Sequence, residues 1–176
     1  MSQKGHEKEI HTASIHPDQG LLLTADLGGS GMVWDLRIGK GIYEIQQTDS
    51  ILCSDFAPNG YEFAVAGKNN IIAVYDLRRK KELKRIPAHI KLVSDLKYDK
   101  NGLFLCSSSH DNHVKLWHGL DYTPLPVENL IEQHKITSID ICDGKLAVTG
   151  IDRKWSMHIN KLKWSHREED DRQNDV

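Results

Sequence analysis

The sequence predicts an all-β protein in which about four copies of one small antiparallel sheet stack side by side. The first indication is a repeat, because Trp34, Tyr75 and Trp117 end equivalent apolar runs and lie 41 and 42 residues apart. The second is that short apolar runs alternate with turn residues, while no segment carries an apolar stripe at helical spacing. A repeat of this size cannot bury both faces alone, so the copies must pack on one another.

The second copy shows the predicted strands most clearly. Its apolar runs cover 51–56, 61–66 and 71–75, and each is five or six residues long. Pro58-Asn-Gly60 separates the first two runs and Lys68-Asn-Asn70 separates the last two, and such residues are typical of tight turns. These features predict a meander of short strands.

A residue 28 positions before the closing aromatic residue, histidine in the first and third copies and Gln47 in the second, sets the bounds of the copies. His6 precedes Trp34 by 28 residues, and His89 precedes Trp117 by the same number. Within a repeat domain over 1–164, the copies therefore lie near 5–46, 47–87, 88–130 and 131–164.

The fourth copy and the end of the chain depart from this pattern. His158 stands where the other copies have Trp or Tyr, so the fourth copy is degraded. The polar stretch 165–176 has little to bury, and we expect it to be disordered.

Repeats of roughly 40–45 residues that end in Trp-Asp are typical of WD40 repeats, whose four-stranded blades form β-propellers. Residues 33–37 read Val-Trp-Asp-Leu-Arg, and 74–78 repeat this ending with Tyr for Trp. WD40 proteins usually close with seven blades, although propellers of four to eight blades are known, so a closed ring of four would be unusual. We therefore expect WD40-type blades in an open or partial propeller. A truncated product, a half-ring completed by a partner or a second copy, and further blades upstream all remain open.

WD40 blades share a hydrogen-bond chain of His, Ser or Thr, Asp and Trp, and the third copy has all four. His89, Asp111 and Trp117 occupy matching places, with Ser107 or Ser109 as the hydroxyl. A buried imidazole and indole N–H need partners, and a carboxylate can hold the imidazole in one tautomer. Because the spacing recurs in other copies, we interpret these residues as a structural network and not as a hydrolase triad.

The other copies retain part of this network. The first has His6 and Trp34, but Gly28 stands where aspartate is expected. Asp152 is the matching aspartate of the fourth copy. In the second copy, the His, Asp and Trp positions hold Gln47, Asn69 and Tyr75.

Composition excludes several classes of function. A net charge of −2 argues against a globally basic nucleic-acid binder. The chain has no apolar run of 18 residues, and its polar start does not resemble a signal peptide, so we expect no membrane association. His110 and His113 have no matching cysteine pair, and no arrangement of nucleophile, base and oxyanion donors is visible. We expect no enzyme, metal, cofactor or small-molecule substrate.

One basic segment follows the closing motif of the second copy and is predicted to lie in the turn after its third strand. Six cations fall within eight residues: Arg78, Arg79, Lys80, Lys81, Lys84 and Arg85. Such a run is either a solvated turn or a surface that holds RNA phosphates or an acidic partner.

Several segments, taken in order, resemble the pre-mRNA processing factor four family, which is the WD40 subunit of the U4/U6 small nuclear ribonucleoprotein (snRNP). The segments are 33–37, 86–89 (Ile-Pro-Ala-His), 92–97, 111–117, 124–125 and 151–153. The similarity runs from Gly5 to about His158 and corresponds to the last four blades of that family.

The resemblance implies a non-catalytic scaffold in pre-mRNA splicing, located in the nucleus. Such a protein would belong to the U4/U6 snRNP and the U4/U6.U5 tri-snRNP. Its partners would be a companion splicing protein and, directly or indirectly, U4 and U6 snRNA.

A second motif suggests another class of protein. The segment Trp34-Asp35-x-Arg37 is similar to the short motif by which WD40 substrate receptors dock onto adaptors of cullin-RING ubiquitin ligases. Asp76 and Arg78 form a weaker second copy. A general WD40 interaction scaffold is the third alternative.

Overall fold

The computed structural model describes residues 5–125, 130–132, 134–142 and 145–159. Over these ranges the chain consists of strands joined by turns and short loops. None of the described residues lies in a helix long and apolar enough to cross a membrane.

The strands form four separate sheets. The first contains β1 (Ile10–Ile15), β2 (Leu21–Asp26), β3 (Ser30–Asp35) and β4 (Lys40–Gln46). The second contains β5 (Ile51–Phe56), β6 (Glu62–Gly67), β7 (Ile71–Asp76) and β8 (Lys81–Pro87). The third contains β9 (Val93–Tyr98), β10 (Phe104–Ser109), β11 (His113–His118) and β12 (Leu130–Ile131). The fourth contains β13 (Ile136–Cys142), β14 (Lys145–Gly150) and β15 (Trp155–Ile159).

Each sheet is an antiparallel meander whose strands pair in sequence order, and we refer to the sheets as the first to fourth blades. The aromatic residues that define the repeat lie on equivalent third strands, with Trp34 on β3, Tyr75 on β7 and Trp117 on β11. The prediction of an all-β chain of blades is therefore confirmed.

Apolar side chains from consecutive blades form the core between the sheets. Leu23 and Val33 of the first blade share a cluster with Phe63 of the second. On its other face the second blade packs Val74 against Leu105 of the third, and a third cluster joins the third and fourth blades. Each fully buried Leu, Val or Phe contributes roughly 1.5–3 kcal/mol, so these seams hold the blades together.

The blades form an open arc. Their innermost strands, β1, β5, β9 and β13, contact one another in that order. The outer faces of the first and last blades present exposed apolar side chains, among them Ile10 and Trp155. This is the partial, open propeller that the sequence predicts.

The sequence predicted that the whole basic segment lies in the turn after β7, but only its first half does. Of the six cations, Arg78, Arg79 and Lys80 lie between β7 and β8, and Lys80 closes the turn with a positive φ of 51°. Because the turn ends there, the outer strand begins at Lys81, and Lys84 and Arg85 belong to that strand. The segment 165–176 and the end of the fourth copy lie outside the described residues.

Candidate functional sites

The third blade has a continuous chain of side-chain hydrogen bonds. His89 Nδ1 lies 3.0 Å from Asp111 Oδ2, and His89 Nε2 lies 2.9 Å from Ser107 Oγ. Trp117 Nε1 donates to the same Ser107 Oγ at 2.9 Å. This series of hydrogen bonds connects the loop before β9 to β10 and β11, so it fixes three elements of the blade.

The charges in this network follow from its surroundings. Burial lowers the pKa of His89 and outweighs the opposing effect of Asp111, so the imidazole is neutral near pH 7. Burial alone would raise the pKa of Asp111, but the backbone N–H groups of Ile90 and His113, together with His89, lower it. The ionised Asp111 therefore accepts from His89 Nδ1–H, which leaves Nε2 as an acceptor.

Ser107 completes the chain by using both of its hydrogen-bonding functions. It accepts from Trp117 Nε1–H and donates its own proton to His89 Nε2. Ser107 is fully buried, so its oxygen has no path to a substrate. Ser109 has a different role, because it accepts from Asp111 N at 3.0 Å and donates to the Lys91 carbonyl. This geometry fits a structural network.

The first blade has a complete network, which corrects the expectation that Gly28 leaves it without a carboxylate. His6 Nδ1 lies 2.7 Å from Asp26 Oδ2, and His6 Nε2 lies 2.7 Å from Thr24 Oγ1. Trp34 Nε1 donates to that threonine at 2.8 Å. The aspartate comes from the end of β2 and not from the following turn, and Gly28 N donates to it at 2.8 Å. The aspartate expected from its spacing to Trp34 falls at Gly28, so the spacing did not identify Asp26.

The second blade uses other side chains for the same purpose. Gln47 Nε2 donates to the Tyr75 hydroxyl, and Asn69 Nδ2 donates to Gln47 Oε1 at 3.5 Å. The Tyr75 hydroxyl donates to Glu82 Oε2 at 3.2 Å, which reaches the outer strand β8. Burial, followed by the nearby Glu82, raises the pKa of Tyr75 to about 12, so the phenol stays protonated.

In the fourth blade, Asp152 does not take part in the network predicted for it. Its carboxylate accepts from the backbone N–H of Lys154 at 3.2 Å and stabilises the turn between β14 and β15. Glu132 supplies the carboxylate instead, accepting from Ser156 Oγ at 2.6 Å and contacting His158 Nε2 at 3.1 Å. Sequence reasoning missed Glu132 because it lies outside the regular histidine spacing.

Most members of the basic segment have partners within the protein. Arg78 and Arg79 lie 3.5 and 3.9 Å from the carboxylate of Asp76, and Arg78 stacks over the Tyr61 ring at 4.1 Å. Arg85 forms an ion pair of 2.6 Å with Glu82.

Two lysines of this segment reach neighbouring blades. Lys80 Nζ donates to the Ile42 carbonyl of the first blade at 2.8 Å. Lys84 Nζ donates to the Asp121 carbonyl after β11. These contacts link the second blade to both neighbours. Arg79 and Lys81 are the cations of the segment whose exposed side chains suit an anionic partner best.

The motif at 34–37, which is similar to the adaptor-docking motif, exposes the positive charge of Arg37. Arg37 is 79% exposed, and its Nη2 donates to Asp35 Oδ2 at 3.0 Å. That contact, together with the Arg37 backbone N–H, holds the pKa of Asp35 below its usual value. Trp34 is buried in its blade network, so Arg37 is the part of this motif that a partner can contact, flanked by exposed Leu36 and Ile38. In the second copy of the motif, Asp76 holds Arg78 in a similar way.

The described residues contain no group of three or more His, Cys, Asp or Glu side chains that could hold a metal ion. A hollow of about 710 Å³ lies on the outer face of the first blade. It is lined by residues that include Ile10, Leu22 and Trp34.

Comparison with known proteins agrees with this architecture. The family described as "WD domain, G-beta repeat" matches residues 1–35 and 80–118. The solved structure "Crystal structure of RRP9 WD40 repeats" superposes with a TM-score of 0.76 at 20% identity, over 89% of this chain and 52% of that one. "Structure of U3-55K" gives the same TM-score and identity and covers 53% of that chain. The chain therefore contains WD40 repeats in a partial propeller.

Several curated proteins are similar in sequence. MST50-interacting protein 11 of Pyricularia oryzae is 28% identical over 122 residues, which is 64% of this chain and 38% of that protein. Small ribosomal subunit protein RACK1 of Caenorhabditis elegans is 33% identical over 86 residues, which is 49% of this chain and 26% of that protein. Pre-mRNA-processing factor 19 of Oryza sativa subsp. japonica is 22% identical over 172 residues, or 92% and 32%. The chain thus spans less than two fifths of the length of each of these relatives.

Proposed function

We propose that this protein is a non-catalytic WD40 scaffold in nuclear pre-mRNA splicing, as a component of the U4/U6 snRNP and the U4/U6.U5 tri-snRNP. Its partners are a companion splicing protein and the U4/U6 RNA particle. The ordered resemblance of segments such as 86–89 and 151–153 to the U4/U6 WD40 subunit supports this proposal. The similarity to a relative whose name assigns it to pre-mRNA processing agrees with it.

The observation that carries the proposal is a small cationic surface on the second blade. Arg79 and Lys81 project into solvent at the junction of the β7–β8 turn and the outer strand. Their neighbours Lys80 and Arg85 are held by contacts within the protein. Arg79 lies at 3.9 Å from the Asp76 carboxylate, but its side chain is 72% exposed, so it can still contact a phosphate. On a chain with a net charge of −2, such a surface recruits a polyanion locally.

Affinity purification of the tagged protein, followed by identification of bound RNA and protein, tests the proposal directly. Recovery of U4 and U6 RNA with splicing proteins supports it. A preparation that recovers protein partners without either RNA and without splicing proteins contradicts it.

A double charge reversal tests the cationic surface. Arg79→Glu with Lys81→Glu should reduce recovery of U4/U6 particles and make the remaining binding less sensitive to salt. For single-stranded contacts, the slope of log affinity against log salt should fall in magnitude by about 0.7 per phosphate lost. Lys91→Glu with Lys100→Glu changes the charge equally at other exposed sites and should leave recovery unchanged. Equal recovery with both pairs would exclude this surface.

A second function is favoured by the exposure of Arg37. In that case the protein is a substrate receptor that docks onto a cullin-RING adaptor through Arg37, oriented by Asp35. Arg37→Ala should then abolish recovery of the adaptor and the cullin, while snRNA is absent from the wild-type preparation. The same purification therefore separates the two functions.

A further inference from the structure

A group of exposed apolar side chains lies at one end of the first three blades. Each of these blades has one turn between its first and second strands and another turn after its third strand, and both turns lie at this end. We call this surface the turn face, and it comprises 16–20, 36–39, 57–61, 77–80, 99–103 and 119–123. The structure describes all of these residues.

Contacts between the turns make the turn face one continuous surface. Within each blade, a hydrogen bond of 2.8 to 2.9 Å joins the two turns, from Leu36 N to Gly20 O, from Leu77 N to Tyr61 O and from Gly119 N to Leu103 O. Between the first and second blades, His16 Nε2 lies 2.8 Å from the Gly60 carbonyl oxygen. Between the second and third, a methyl group placed on Gly102 would lie 3.8 Å from the Pro58 ring. The turns of three blades therefore lie side by side.

Five large apolar side chains are exposed on the turn face, and they come from all three blades. They are Leu36, Ile38, Tyr61, Leu103 and Leu120. Their exposed fractions run from 49% to 85%, and Leu120 has the highest. Single exposed apolar residues are ordinary, whereas a group of them surrounded by polar residues marks a surface that another molecule covers.

The fold of a blade does not require apolar residues at these places. Leu103 accepts the hydrogen bond that joins the two turns of the third blade, and Gly20 accepts the same bond in the first. Leu120 follows the donor of that bond, and in the first blade the same place holds Arg37. Because glycine and arginine are accepted at the same places of an equivalent blade, the apolar character of Leu103 and Leu120 indicates a contact outside the blade.

The charged residues of the turn face are mainly cations. Its exposed cations are Arg37, Arg78, Arg79, Lys80 and Lys100, and its exposed acids are Asp18 and Asp121. Asp35 and Asp76 pair with two of these arginines, but their side chains are 12% and 3% exposed. The guanidinium groups therefore form the outer layer, and a partner that carries carboxylates complements them.

An α-helix suits this surface better than an extended strand or RNA does. The turn face consists of the ends of hairpins, so it presents no strand edge to which a further strand could add. Single-stranded RNA binds mainly by stacking its bases on aromatic rings. The apolar side chains here are mostly aliphatic, and one side of the exposed Tyr61 ring is covered by Arg78 at 4.1 Å. A helix brings its own paired backbone and presents an apolar stripe.

We propose that the turn face is the docking surface for an amphipathic helix of a partner protein, whose apolar stripe is flanked by acidic residues. The stripe packs on Ile38, Leu103 and Leu120, and the flanking carboxylates pair with Arg37 and Arg78. This contact spans three blades, whereas docking of an adaptor through the motif at 34–37 uses the first blade alone. It does not rest on the proposed function in splicing.

Selection from a displayed library of helices tests the chemistry of the partner. The library presents a helix of about 18 residues, which spans about 27 Å, with every position of one face randomised. Helices that bind the 176-residue chain but do not bind its Ile38→Glu variant are kept. The expected helices carry apolar residues at i, i+3, i+4 and i+7, flanked by Asp or Glu. Recovery of basic helices, or of no helix that distinguishes the variant, would overturn the proposal.

Titration of a selected helix by fluorescence anisotropy tests whether the contact spans the three blades. Leu120→Glu, two blades away from the substitution used in the selection, should weaken binding by about tenfold or more. The matched control is Ile90→Glu, at a 79% exposed site before β9 and at the opposite end of the third blade, which should bind like the wild type. Thermal melting verifies that each variant is folded.

Three outcomes of the titration would overturn the proposal. Full affinity in Leu120→Glu would confine the contact to the first blade, and an equal loss in Ile90→Glu would show a general effect of added charge. A single-stranded uridine oligonucleotide that binds the chain and loses its affinity in Leu120→Glu would assign the surface to RNA. None of these variants alters Arg79 or Lys81, so recovery of U4 and U6 RNA remains a separate measurement.

Discussion

Asp111 combines more stabilising contacts than any neighbouring side chain in the third-blade network. It accepts from His89 Nδ1, from Ile90 N at 3.1 Å and from His113 N at 3.0 Å. Asp111→Ala leaves the buried His89 and two part-buried backbone N–H groups without this partner, and we expect the free energy of unfolding to fall by about 1–3 kcal/mol. Asp111→Asn retains one acceptor oxygen and should lose less. Chemical denaturation measures both, with Asp49→Ala at an exposed site as the control. An unchanged stability in Asp111→Ala would show that the network does not stabilise the blade.

The neutral His89 predicts a pH dependence of stability. Burial lowers the pKa of His89 in the folded state, so below the ordinary value of 6.5 the unfolded chain binds the proton more readily. The contribution of neutral His89 to the free energy of unfolding is therefore fully present above about pH 6.5, and it is lost as the pH decreases toward the folded-state pKa of His89. His110 contributes in the same direction, because burial lowers its pKa as well.

Replacement of His89 by the residue that the second blade uses at this position isolates its contribution. His89→Gln should be less stable at pH 7.5, yet it should lose less stability than the wild type between pH 7.5 and 5. Denaturation midpoints across that range measure the slope. If the two slopes coincide, His89 is not the group responsible. His110 is present in both proteins and does not affect the comparison.

The repeat made the positions of the strands predictable. It did not predict which structural element supplies each polar side chain of the blade networks. Third-strand positions such as Trp34 and Trp117 follow from the spacing because a blade tolerates little change in strand length. The sequence did not predict Asp26 and Glu132 because a network requires only a carboxylate near the imidazole, and either the end of a strand or the loop after a preceding strand can supply one. The sequence spacing alone cannot show which of these elements lies closest to the imidazole. Nor could the sequence show that Lys80 is held by a neighbouring blade.

At the scale of the strands, Asp55 joins the inner strands of three blades. Its carboxylate accepts from Ser14 Oγ of β1 at 3.2 Å and from Tyr98 N of β9 at 2.8 Å. Asp55→Ala removes both links, and we expect a loss of about 1–3 kcal/mol in the free energy of unfolding. Asp140→Ala is the matched control, because Asp140 has the same place in the fourth blade but accepts only from the local Ile141 N, so its removal should cost less. Equal losses would show that the contribution of Asp55 is local and does not link blades.

The open arc of blades predicts unequal stability along the chain. The second and third blades are covered on both faces and share the apolar cluster that includes Val74 and Leu105, whereas the first and fourth blades are each covered on one face. Regions with fewer buried apolar contacts open at lower free energy and exchange their amide hydrogens faster. We therefore expect slow exchange in β6, β7 and β10.

Faster exchange is expected at the two ends of the arc, in β2 and β3 on one side and in β14 and β15 on the other. The gradient arises because the uncovered apolar side chains at each end stabilise the folded blade less than those at an internal seam. Hydrogen exchange resolved by mass spectrometry measures each strand, and β10 and β14 make the most direct pair because they are the second strands of adjacent blades. Exchange in β14 as slow as in β10 would show that the fourth blade gains its stability from within its own sheet.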